Sequence, residues 1–272
     1  MSPVTLSQRV TTSILLIGLT AVTLFYGGVF WFSFEVFVFA AFALYEFFTL
    51  LRRAKFHVYR LFGVCMGLII PIVVFLEQGP TQAGGEILFL ILGCLFLFLL
   101  QFSHTNNHEA LVGISLTLFG ILYVSWFLSF LIKMRFMEGG VRWIAFLLGV
   151  TKAGDIGAFS IGTPFGHHPL IAHVSPKKSV EGFFGALAAS VLSAFFFNWI
   201  LSLGFGTGHT LVLGFLIGII GQIGDLSESL MKRSCGAKDS GALLPGMGGV
   251  LDAVDSILFT APIFYFHLKV VL

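Results

Sequence analysis

A chain of 272 residues that is 57% hydrophobic, 15% aromatic and only 10% charged lacks the polar surface of a water-soluble domain, where about a quarter of residues carry charge. The formal charge of +2 is too small for a nucleic-acid binder, and no basic stripe is present. Three cysteines, Cys65, Cys94 and Cys235, lack metal-site spacing and argue against a disulfide framework.

The expectation is an all-α, polytopic integral membrane protein. Arg9 precedes an apolar run from Val10 to Phe32 that is long enough to span, with no small-residue cleavage site after it. It reads as a retained first helix rather than a signal peptide. Hydropathy places about nine transmembrane helices, near 10–30, 33–51, 60–77, 86–103, 110–132, 140–162, 181–202, 209–233 and 248–270. Interruptions are short and no internal repeat is visible, so residues 1–272 read as a single membrane domain. Its 32 glycines suit helices packed closely in lipid.

Loop charges predict the orientation. With the N-terminus inside, the cytoplasmic segments hold ten basic residues: Arg9, Arg52, Arg53, Lys55, Arg60, Lys177, Lys178, Lys232, Arg233 and Lys238. The outer segments hold four, Lys133, Arg135, Arg142 and Lys269. The loop KMRFMEGGVR, between the fifth and sixth spans, runs against the rule because it is basic yet falls outside.

Acidic residues divide the chain chemically. Before residue 150 there are only glutamates, whereas all five aspartates (Asp155, Asp225, Asp239, Asp252, Asp255) come later. Residues 1–140 therefore read mainly as scaffold and lipid-facing helices, and 141–272 as the catalytic half. Glu46, within the second span, reads as an unpaired intramembrane acid that would meet Lys152 or a polar cavity.

In the sixth span, TKAGDIGAFSIG places Lys152 and Asp155 three residues apart. They either neutralise each other or line a polar cavity, and buried ionisable groups usually mark a pathway. In HVSPKKSVEGFFGA, Ser179 or Glu181 is expected to open the next helix as a cap. Lys177 and Lys178 at its mouth suit a lipid headgroup or a phosphate equally well. His167, His168 and His173 lack zinc-site spacing and read as an interfacial loop.

The densest chemistry lies between Gly224 and Ser256. On a helix Asp225, Glu228, Ser229 and Lys232 share one face, and Asp252, Asp255 and Ser256 repeat that geometry on the next. A loop rich in Gly, Lys and Ser joins the two. Capping and ion pairing of Asp252 or Asp255 with Lys232 or Arg233 would account for one or two of these acids, but not for four beside a glycine-rich backbone. Carboxylates with basic, glycine-rich neighbours suit a hard divalent cation and a phosphate-bearing ligand.

These residues resemble the signature of phosphatidate cytidylyltransferases (CDP-diacylglycerol synthases). Ser229-Leu-Met-Lys232-Arg233, then Lys238-Asp239, Leu244-Pro245-Gly246, Gly248-Gly249, Asp252 and Asp255 carry the resemblance. Asp155-Ile-Gly-Ala-Phe and Ser175-Pro-Lys-Lys-Ser-Val-Glu-Gly resemble the family's upstream segments. Two positions depart: Met247 stands where the family has His, and Ala253 where it has Arg. The resemblance implies transfer from CTP to phosphatidate in a cytoplasm-facing polar cavity, in a bacterial inner or cell membrane, by a homodimer. It further implies Mg²⁺, one ion or two, on Asp225, Asp252 and Asp255. Lys232, Arg233 and Lys238 would stabilise phosphate charge, supported by Ser229 and Asp239. Ser175, Lys177, Lys178, Asp155, Gly248 and Gly249 would contact substrate. A CTP-dependent lipid-alcohol kinase and a catalytically weakened lipid-binding homologue are the alternatives, and a transporter ranks below both because the charges crowd at one face.

Overall fold

A computed structural model describes residues 6–77, 84–103 and 109–271. In hydrocarbon every backbone polar group must be satisfied within its own segment, and the Phe- and Leu-rich stretches meet that demand as helices. They are α1 (Leu6–Phe25), α2 (Gly28–Arg53), α3 (Arg60–Leu76), α4 (Gly85–Phe102), α5 (Ala110–Gly120), α6 (Phe127–Phe136), α7 (Gly140–Phe165), α8 (Val180–Ile200), α9 (Thr207–Ser234) and α10 (Val250–Val271). A π-helical segment, Ile121–Trp126, joins α5 to α6 into one continuous stretch. Seven helical stretches are long and apolar enough to cross a membrane, while α1 and α3 are shorter apolar helices. All nine expected segments are thus helical, but among the described residues seven, not nine, reach full spanning length. The protein is a multi-pass membrane protein.

The chain forms two compact units, Met1–Glu138 with Cys235–Ala253, and Gly139–Ser234 with Val254–Leu272.

In the first unit, α1 turns directly into α2 at Gly28, whose φ of 67° favours glycine. Buried polar pairs tie its helices together. Thr20 donates to Glu35 Oε1 at 2.6 Å, and Thr23 donates to the other oxygen. Glu86 on α4 pairs with Lys133 on α6 and accepts the Trp126 indole N–H at 3.1 Å. This corrects the placement of Lys133 in an outer loop. It is 9% exposed and its charge is matched inside the helices, so it does not belong in the loop tally.

In the second unit, α7 and α8 meet along a seam of small residues. A Cβ on Gly157 would lie 2.4 Å from Ala189 Cβ, and one on Gly185 would lie 2.7 Å from Ile161 Cβ. Only glycine allows the backbones to approach this closely. Between these helices the chain forms an antiparallel hairpin of β1 (Pro169–Ile171) and β2 (Ser175–Ser179), in the segment that sequence read as an interfacial loop. The exposed His168 lies 2.6 Å from Glu181, which ties the hairpin to the start of α8. Ser179 caps α8 by accepting Gly182 N–H at 3.1 Å, as its position predicted. Far along α9 and α10 from their aspartates, His209 and His267 bring their Nε2 atoms to 2.8 Å.

Candidate active site

The second unit gathers most of the charged residues that sequence singled out. One turn of α7 carries Lys152 and Asp155, paired at 3.0 Å. Ser256 of α10 joins them, donating to Asp155 at 2.9 Å and lying 3.3 Å from the Lys152 ammonium. The pair thus neutralises itself, within a polar cluster that includes Ser256.

Asp225 on α9 meets Lys178 of β2 at 2.7 Å. One turn further, Glu228 is fully buried against Lys232. Asp255 on α10 is 7% exposed, accepts the Ser256 backbone N–H, and stands within electrostatic range of Asp225, Asp155, Glu228 and Lys152. Gly224 makes this crowding possible. A Cβ there would fall 2.6 Å from the Asp255 carbonyl oxygen, so α9 and α10 touch backbone to backbone at this level. Four carboxylates and three lysines gather here, on apolar helices and, for Lys178, on β2, and pairing of the lysines with Asp155, Asp225 and Glu228 offsets their cost.

The first unit holds the loop after α9. Leu244 and Gly248 exchange backbone hydrogen bonds of 2.9 and 3.0 Å, and Met247 N–H bonds Leu244 O at 3.1 Å. With Pro245 second and Gly246 third at φ 83°, this is the pattern of a type II turn. Helix α1 touches the turn: Thr12 donates to the Pro245 carbonyl at 2.7 Å, and the Ser13 hydroxyl lies 3.6 Å from the Met247 sulfur. Asp252, in the first turn of α10, accepts through Oδ2 the N–H of Gly249 at 2.7 Å and both N–H and hydroxyl of Ser240, at 3.0 and 2.7 Å. That is one half of a capping box: the third helical residue satisfies the donor just before the helix, and Gly249 has no side chain to return the bond.

Other predicted residues sit as follows. Ser229 is buried on α9. Arg233 is exposed, and its Nε donates to the Val174 carbonyl at 3.3 Å. Lys232 pairs with Glu228, one turn back on the same helix. Lys177, Lys238 and Asp239 are exposed, Ser175 and Gly248 are half-buried, and Gly249 is buried. Glu46 is not unpaired. It accepts Leu251 N–H at 2.9 Å and the Ser240 hydroxyl at 3.3 Å, both within the first unit. Sequence reasoning missed Ser240, Gly224 and this role of Glu46. An acid in an apolar span was the available signal for the last.

The donor chemistry around Asp255 is all carboxylate oxygen, as a hard divalent cation requires, and fits Mg²⁺ in kind. Among the described residues no three His, Cys, Asp or Glu side chains converge tightly enough to hold an ion as they stand.

A family model described as the cytidylyltransferase family matches residues 7–271. A phosphatidate cytidylyltransferase of Brucella suis is 33% identical, with the alignment covering 96% of this chain and 92% of that one. One from Synechocystis is 29% identical over 98% of this chain and 97% of the relative. An uncharacterized Escherichia coli protein, YnbB, is 36% identical over 58% of this chain, and that match spans only 52% of the relative's length.

Proposed function

The chain belongs to the cytidylyltransferase family, and from that premise we propose that this nucleotidyltransferase forms CDP-diacylglycerol and pyrophosphate from CTP and phosphatidate. The observation that carries the reading is the cluster of Asp155, Asp225, Glu228 and Asp255 with Lys152 and Lys232 on helices otherwise suited to lipid, joined by Lys178 of β2. A phosphate oxygen of phosphatidate attacks the α-phosphorus of CTP, the bond to the β-phosphate oxygen breaks, and pyrophosphate leaves. The nucleophile is already ionised near neutral pH, so the work is in-line positioning and charge neutralisation rather than strong base catalysis.

In the second unit Asp225 and Asp255 would hold Mg²⁺, as one ion or two, which when bound would offset charge on the reacting phosphates; the family resemblance gives Asp252 the same role. Lys178 and Lys232, paired with carboxylates in the free protein, exchange those partners for substrate phosphate. Arg233, Lys238 and the exposed Lys177 draw the anionic headgroup and nucleotide towards the site. Ser175, Ser229 and Asp239 support them, and the backbones of Gly248 and Gly249 allow close approach. Asp155 holds Lys152 and Ser256 in place. Acyl chains stay in the bilayer throughout. We place the N-terminus and the chemistry on the cytoplasmic side. With Lys133 removed from the tally, ten basic residues stand inside against three outside. Assembly as a homodimer rests on the family resemblance alone.

The test is formation of CDP-diacylglycerol from CTP and phosphatidate by the purified protein in detergent with Mg²⁺, beside Asp255→Asn. Product from the wild type and a loss of at least ~100-fold in the variant are expected. A phosphorylated lipid alcohol as the product would replace this reading with the kinase. Folded protein giving no product would favour the weakened homologue, with Met247→His and Ala253→Arg as the next variants.

A further inference from the structure

Glu46 lies deep in α2, 3% exposed, in a helix long and apolar enough to span the membrane. A carboxylate there is costly unless something needs it. Its Oε2 accepts the N–H of Leu251, the second residue of α10, and contacts the Ser240 hydroxyl. The carboxyl group thus sits against the N-terminal end of α10, where unpaired N–H groups concentrate positive potential. Ser240 links it to Asp252. One hydroxyl lies 3.3 Å from Glu46 and 2.7 Å from Asp252, so a single proton is shared between two carboxylates and favours the nearer.

The loop is shaped around this acid. A Cβ on Gly241 would fall 2.1 Å from Glu46 Oε1, and one on Gly249 would fall 2.3 Å from Oε2 and 2.2 Å from the Ser240 hydroxyl. Two glycines are therefore required by one buried side chain that lies about 200 positions earlier in the chain. Both Glu46 and the loop belong to the first unit.

We propose that Glu46 is a positioning residue for cytidylyl transfer, holding the start of α10 and the 240–249 loop so that Asp252 is presented in one orientation. The inference rests on the function proposed above, but its structural half is separately testable. It assigns a task in the reaction to a helix of the first half, through Asp252 rather than through contact with substrate.

Wild type, Glu46→Ala, Glu46→Gln and Ser240→Ala would be compared in detergent by steady-state kinetics, Mg²⁺ titration and amide hydrogen exchange. In Glu46→Ala, kcat is expected to fall ~30-fold or more and half-maximal activity to need ~10-fold more Mg²⁺, with the KM for phosphatidate little changed. Exchange should quicken in residues 240–252 but not in α7 and α8. Glu46→Gln keeps an acceptor oxygen of the same reach and should return each quantity to within ~5-fold of wild type. Should Glu46→Ala fail to fold, Ser240→Ala decides, with the same direction of change expected. Wild-type kinetics and protection in Glu46→Ala, or in Ser240→Ala where it decides, would overturn the proposal. So would a Glu46→Gln protein as impaired as the alanine variant with its loop still protected, because charge rather than position would then be what matters. A wild type without product would defeat the functional reading. The exchange comparison would still judge the positioning claim, and unchanged protection would overturn it.

Discussion

Asp252→Ala removes the one carboxylate oxygen that receives Gly249 N–H and both donors of Ser240. Ser240 is 3% exposed, and Gly249 is buried, so neither can turn to water instead. Hydrogen bonds to a charged acceptor contribute about 1.5–3 kcal/mol each, and bonds in one network do not add in full. A cost of roughly 3–5 kcal/mol to the ordered loop follows, which is a ~10²–10⁴-fold fall in its population. Asp252→Asn keeps an acceptor oxygen but not the charge, and should cost roughly 1 kcal/mol per bond or less. Limited proteolysis between residues 236 and 249, run beside CDP-diacylglycerol formation, separates the two effects. The alanine protein is expected to be cut rapidly and to be inactive, and the asparagine protein to resist cutting while turning over slowly. An alanine protein as resistant as wild type would refute the assignment of Asp252 as the anchor of this loop.

Lys133→Ala would leave Glu86 buried without its ammonium, and should destabilise the protein by about 3–5 kcal/mol, whereas Lys133→Met with Glu86→Gln should be close to neutral; thermal melts in detergent check both. Gly157→Leu should split the α7–α8 seam and abolish folded, monodisperse protein on size-exclusion chromatography, because even a Cβ would meet Ala189 at 2.4 Å. Lys178→Ala should lower kcat/KM by at least ~10-fold with little change in melting temperature, since its pair with Asp225 is partly solvated. Burial pushes the Cys235 thiol up, so less thiolate forms at a given pH; its alkylation should lag a free thiol at pH 8 and accelerate only as the pH rises beyond the ordinary thiol range, as mass spectrometry would record.

Much of this protein is legible in one dimension. Nine apolar runs become helices because hydrocarbon leaves the backbone no other partner, and hydropathy reads that directly. The aspartate-bearing faces of α9 and α10 follow from helical period, since residues three and four apart share a side whatever surrounds them. Ser179 as a cap is equally local.

Tertiary structure decided which charge answers which. Lys133 looked like a loop cation and is the partner of Glu86, 47 positions away; Glu46 looked unpaired and organises a loop about 200 positions downstream. Lys232 pairs with Glu228 on its own helix, and Ser240 carried no signal until its two carboxylates converged on it. Pairing in a low-dielectric interior is set by distances of a few ångströms, and no local pattern encodes those distances. Composition and periodicity determine that charges lie within apolar helices, and folding alone determines how they are satisfied.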